Sequence, residues 1–105
     1  KEYEQKPIRK KWKAERRDSF VELQRRLLAQ DPFQAAELEA LVKQFMADFE
    51  YGFGDVLPIL RVALSGTTKG PGVFEMIELL GKEEVNQRLE KGYAAFDDIL
   101  AANKS

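Results

Sequence analysis

The chain has no cysteine and no histidine. The first absence excludes a disulfide framework, and the two together exclude a cysteine–histidine zinc site. Nucleophilic catalysis through Cys or a Ser–His pair is excluded as well. Long apolar runs are also lacking. None approaches the roughly 18 residues of a membrane span, and no signal-peptide pattern opens the chain. A cytoplasmic setting without a membrane partner is the expectation. Neither sign of charge dominates, with 17 basic and 18 acidic groups and a net charge of -1. What remains is 105 residues, 44% of them hydrophobic, which suits one small domain with a limited core.

Charge is unevenly distributed. Residues 1–30 carry ten basic groups against five acidic ones, so the rest of the chain is acidic. A basic head on an acidic body is a candidate polyanion contact, and equally a solvated helix face.

Every strong periodic signal is helical. Residues 1–7 read as a loop, with Pro7 able to open a first helix in which Ile8 and Trp12 share a buried face. Ser19-Phe20-Val21-Glu22 matches a capping box and places a second helix over 20–29, with Phe20, Leu23, Leu27 and Leu28 inward. One continuous helix from 8 to 29 is the alternative. Asp31-Pro32 ends that segment. Leu38, Leu41, Val42, Phe45 and Phe49 form the stripe of a helix over 34–49. Gly52 and Gly54 follow it, as residues that tolerate positive φ at a helix end. A helix over 55–65 has Asp55 as cap, Pro58 in the first turn, and Val56, Ile59, Leu60 and Ala63 buried. A short helix over 72–80 uses Val73, Met76, Ile77 and Leu80. Gly81 separates it from a last helix over 82–101, with Val85, Leu89, Tyr93, Phe96 and Leu100 inward.

Between the helices at 55–65 and 72–80 runs Ser65-Gly66-Thr67-Thr68-Lys69-Gly70-Pro71-Gly72. Hydroxyls, an ammonium and backbone N–H groups before a helix N-terminus suit an anion. Its spacing is not that of a Walker A loop, and a plain helix connector also needs such glycines. Arg61 interrupts an apolar run. It could fork to a base edge or phosphate, or pair with Glu75. Tyr3 and Trp12 lie beside lysines and could stack on bases, although Trp12 suits a core better. Glu75 and Glu78 do not make a persuasive catalytic pair, and no catalytic residue or metal ligand is assigned.

Three pieces then occur in order: Leu60-Arg61-Val62-Ala63-Leu64-Ser65-Gly66, Gly70-Pro71-Gly72-Val73-Phe74-Glu75, and Leu79-Leu80-Gly81-Lys82-Glu83-Glu84-Val85. Together they resemble the C-terminal block of bacterial-type glutamyl-tRNA synthetases, which are class I aminoacyl-tRNA synthetases. Phe33 to Gly54 resembles the helix before that block, and residues 1–30 resemble the preceding helical subdomain less specifically. The resemblance implies an all-α orthogonal bundle of five or six helices. Residues 1–30 would end one subdomain, and 31–105 would form the C-terminal anticodon-binding domain.

It also implies anticodon reading by Arg61, Gly70, Pro71 and Val73. Backbone at Gly70 and the flat faces of Pro71 and Val73 would accept splayed bases. Many members carry Thr where this chain has Gly70, so a hydroxyl contact is lost there. Thr67, Thr68 and Lys69, with Arg9, Lys10, Lys13 and Arg17, are the candidate phosphate contacts. The implied partner is a glutamate-accepting tRNA, with fragment and parent both monomeric. The parent would attach glutamate using ATP and Mg2+. This chain lacks the His-x-Gly-His-type signature of that chemistry, so it reads as a C-terminal piece with no cofactor of its own. The alternative is a helical protein-interaction module gripping an acidic partner with its basic N-terminal helix. A small phosphate-handling enzyme built on the Thr-Thr-Lys loop is a third class.

Overall fold

The computed structural model describes residues 3–104, with no strand among them. Lys1 and Glu2, counted in the basic head, lie outside the described residues. Five helices follow in order: α1 Gln5–Lys11, α2 Arg17–Ala29, α3 Ala35–Phe49, α4 Phe53–Ser65 and α5 Val73–Lys104, with a 3-10 turn at Ala14–Arg16 between the first two.

α4 is the central helix. Val56, Ile59, Leu60, Val62, Ala63 and Leu64 are all buried, so it is enclosed on most of its circumference. Past its open first turn (Phe53 to Asp55), a strip through Leu57, Pro58, Arg61 and Ser65 is half-open, which accounts for an arginine inside an apolar run. α5 breaks at Gly81, whose φ of 84° and ψ of 163° are non-helical, where the sequence puts a separator. Beyond it, Val85, Leu89, Tyr93 and Phe96 are buried as expected, and Leu100 packs at the margin. One hydrophobic cluster takes residues from all five helices, so both sides of the expected 30/31 boundary share it.

α4 and α5 approach closely at Gly92. A Cβ there would lie 2.9 Å from Ala63 Cβ and 3.1 Å from Ala63 Cα. In an open helix, Gly→Ala gains about 1 kcal/mol. Here the added methyl must push two helices apart, at a cost of about 1–3 kcal/mol. Gly92→Ala is therefore expected to lower the urea midpoint. Gly54→Ala, with nothing within 4 Å of the new methyl, is expected to leave it unchanged or raise it.

Five local expectations differ from the structure, the first being that α1 already begins at Gln5, inside the stretch read as a loop, rather than at Pro7. The chain is extended at Trp12 (ψ 131°) and Lys13 (ψ 149°), which rules out a continuous helix from 8 to 29. α2 begins at Arg17, so Ser19 is inside it and the capping box does not form. Ser19 Oγ donates to Arg16 O at 2.7 Å, while Glu22 is taken by Arg25 and Arg26. The left-handed residue after α3 is Glu50 (φ 58°), not Gly52 or Gly54; Tyr51 N–H returns to Met46 O there, closing the helix one turn back. α4 starts at Phe53, which moves Pro58 into the second turn. The bond it cannot make is to the carbonyl of Gly54, an exposed residue that water can reach.

Candidate nucleic-acid interface

The turn from Gly66 to Gly72 is set by what holds its two limbs. Gly66 ends α4 in the left-handed region (φ 86°), and its N–H donates to Val62 O at 2.7 Å. Ser65 Oγ lies 2.9 Å from Arg61 O and 3.1 Å from Thr67 O, its single proton serving both carbonyls. On the first limb, Glu4 is the main partner. Its N–H donates to Gly66 O at 2.7 Å. Its carboxylate accepts from Thr67 Oγ1 and Thr68 N–H, each at 3.0 Å, and from Thr68 Oγ1 at 3.2 Å. The Thr68 N–H, then the Thr67 hydroxyl, hold the Glu4 carboxyl below the usual range.

On the second limb, Arg61 Nη1 donates to Pro71 O at 2.7 Å. Neither sequence alternative for Arg61 anticipates this bond, and no ion pair with Glu75 forms among the described residues. The guanidinium braces the turn and keeps its remaining donors for another partner. Between the limbs, Lys69, Gly70, Pro71 and Gly72 are exposed. Gly70 adopts φ 122°, open to glycine and strained for other residues. Among the described residues, the N–H groups of Gly70 and Gly72 have no partner.

Four sequence assignments are corrected here. Val73 is 3% exposed and belongs to the core, so its side chain is not a face for a base. It begins α5 and stands four residues before the buried Ile77, on the inward stripe. The Thr67 and Thr68 hydroxyls are occupied by an internal carboxylate, so they are not open phosphate contacts. Arg17 pairs with Asp97 across 80 residues of sequence and donates to Tyr93 O at 3.2 Å, so it too is engaged. Tyr3 is not a stacking platform, while Trp12 lies in the core, as its sequence position favoured. Tyr3 meets Phe96 edge-on at 5.5 Å, and Trp12 stacks on Tyr93 at 5.2 Å inside the core.

The remaining cations are well placed. α1 runs antiparallel to α4, since Glu4 meets Gly66 at one end and Lys11 meets Asp55 at the other (3.3 Å). The Gly52 N–H, ahead of Lys11, keeps the Asp55 carboxyl below its ordinary range. Lys6, Lys10 and Lys13 are exposed and unpaired among the described residues. Arg9 is exposed and, among the described residues, bonds Gln5 alone, at 2.8 Å. The basic helix thus leads away from the exposed turn, with Lys69 at the junction. Arg88 was not singled out from sequence. Its Nη1 donates to Leu64 O at 2.6 Å, satisfying a terminal carbonyl of α4 with a cation. The i, i+4 Glu84–Arg88 pair is visible in the sequence, but the Leu64 contact across the turn is not.

A braced turn offering unpaired amides beside a basic helix, on an all-α bundle, is an arrangement suited to a nucleic-acid-binding class of domain. The chain belongs to the anticodon-binding domain family, whose model matches residues 1–93. It is 45% identical over 73 residues to the glutamate–tRNA ligase of Thermus thermophilus, covering 70% of this chain and 16% of that protein. It is 36% identical over 89 residues to that of Azobacteroides pseudotrichonymphae, covering 85% of this chain and 18% of that protein. The crystal structure of a glutamate tRNA ligase from Elizabethkingia meningosepticum, in complex with its amino acid, superposes with a TM-score of 0.83 at 28% identity. That match covers 91% of this chain and 19% of the other. The chain therefore spans less than a fifth of the length of these relatives.

Proposed function

We propose that this chain is the anticodon-receiving part of a glutamate–tRNA ligase. The whole enzyme would attach glutamate to its tRNA using ATP and Mg2+, as a cytoplasmic monomer. The catalytic chemistry would reside outside these residues. The observation that carries the reading is the exposed Gly70–Pro71–Gly72 turn, braced by Arg61 at Pro71 O, on a member of this family. Unstacked bases of an anticodon loop would lie over Pro71 and bond the Gly70 and Gly72 amides. Arg61 would use the donors not spent on Pro71. Val73 anchors the start of α5 from within the core. Lys69 and the exposed lysines of α1 would meet phosphates.

The test is a titration of the chain with a glutamate-accepting tRNA and with anticodon-substituted versions, over a range of salt. Affinity should fall steeply with salt and should be highest for the native anticodon. Arg61→Ala is expected to reduce discrimination between anticodons by about 1–3 kcal/mol. Arg61→Lys should not restore it, because an ammonium cannot hold Pro71 O and a base edge in one plane. Unchanged discrimination in both variants would remove Arg61 from the reading. Equal affinity for every tRNA would favour a generic polyanion or protein contact instead.

A further inference from the structure

The carboxylate of Glu4 stands where an anion-binding loop would hold a ligand's anion. Three donors converge on it from Thr67 and Thr68, 63 and 64 residues along the chain. Lys69 N–H donates to Thr67 Oγ1 at 3.2 Å, so the same hydroxyl passes the constraint on to the residue before Gly70. Glu4 precedes α1, and α1 is fixed to α4 separately, by the Glu4 N–H bond to Gly66 O and by Lys11 at Asp55. The carboxylate is therefore presented to the loop by an element already held in place. These bonds favour the charged carboxylate and lower its pKa from the ordinary value.

We propose that Glu4 is a positioning residue for anticodon reading: it clasps the Thr67–Thr68 limb to α1, so that the phosphate-facing lysines and the base-facing turn move as one piece. The inference rests on the anticodon reading above. It also makes a counterintuitive claim. Removing a negative charge beside a polyanion should tighten binding if charge were all that mattered. The clasp requires that selectivity be lost instead.

The test uses Glu4→Ala, Glu4→Gln and Thr68→Val in the full chain, with two readouts. The first needs no RNA: amide exchange at Thr68 followed by NMR. Loss of one bond to a charged acceptor at an exposed site should speed it about tenfold in Glu4→Ala, and less in Glu4→Gln, whose amide oxygen still accepts. Thr68→Val keeps the N–H bond and should fall between wild type and Glu4→Ala. The second readout is affinity for a glutamate-accepting tRNA against an anticodon-substituted one. The ratio should fall about fivefold in Glu4→Ala, with the salt slope unchanged because no cation is lost.

Unchanged Thr68 exchange overturns the clasp. Faster exchange with an unchanged ratio, and tighter binding of every tRNA, overturns the positioning role and leaves Glu4 as a filler of phosphate space. A wild-type chain that does not discriminate overturns the anticodon reading itself. The exchange data then report separately on whether the clasp exists.

Discussion

Trp12→Ala is expected to destabilise the chain by about 3–5 kcal/mol, the range for truncating a buried tryptophan. Small domains are stable by only about 5–15 kcal/mol in total, so the variant would stand near its unfolding threshold at 37 °C. The expectation follows from position. Trp12 is 1% exposed, stacks on Tyr93 at 5.2 Å, and meets Phe20 and Phe96 at 5.3 and 5.4 Å. Those rings come from α2 and α5, so the indole joins the N-terminal segment to the rest of the core. Its Nε1–H also donates to Asp97 Oδ1 at 2.9 Å. Asp97 is 41% exposed and has Arg17 as a second partner, so losing this bond is the smaller effect. Trp12→Phe separates the two contributions by keeping most of the bulk without the donor. It should cost less than half as much, about 1–2 kcal/mol. Urea unfolding followed by far-UV circular dichroism reads both, since Trp12 is the chain's single tryptophan and its fluorescence is lost in the variants. An alanine variant within about 1 kcal/mol of wild type would mean that the N-terminal segment is not part of the cooperative core.

The helices were legible where apolar spacing is regular. Leu38, Val42 and Phe45 mark α3, and Val85, Leu89, Tyr93 and Phe96 mark the far part of α5, because burial repeats at the helical period. Gly81 was legible as a break for the same reason: the stripe stops and restarts across it. The misread features share a different cause. Ser19 looks like a cap, but the 3-10 turn at Ala14–Arg16 already launches α2 and turns its hydroxyl to Arg16 O. Glu50 takes the left-handed position because closing α3 fixes which residue must be there, and no glycine falls on it. At the interface, Arg61 and the exposed Gly70–Pro71 turn were visible as a polar interruption and a loop. The bonds that shape them were not. Glu4 to Thr68 and Arg17 to Asp97 join groups far apart in sequence, and no local period encodes such pairs. Val73 was given a base-facing role only by the resemblance; its place in the apolar stripe of the 72–80 helix already pointed to the core, where it lies.

On the proposed reading, pairing decides which basic residues are available to RNA, and this fixes the second large expectation. Lys10 and Lys13 are exposed and without partners among the described residues, whereas Arg17 is spent on Asp97. Lys10→Glu with Lys13→Glu is expected to lower affinity for every tRNA by about 10–100-fold at low salt. It should also flatten the log–log salt slope by about 1–2, since each neutralised phosphate contributes roughly 0.7–0.9. Phosphates carry no sequence information, so the ratio between native and substituted anticodons should stay the same. Stability should change by less than about 0.5 kcal/mol, because neither side chain has a contact to lose. Arg17→Ala supplies the contrast: it should lower the unfolding midpoint while leaving the salt slope near wild type, as its charge is already neutralised within the fold. Should Arg17→Ala flatten the slope as strongly as the lysine reversals, the internal ion pair would have to open on binding. The basic surface would then extend onto α2. A loss confined to the native anticodon would instead place Lys10 or Lys13 at a base edge.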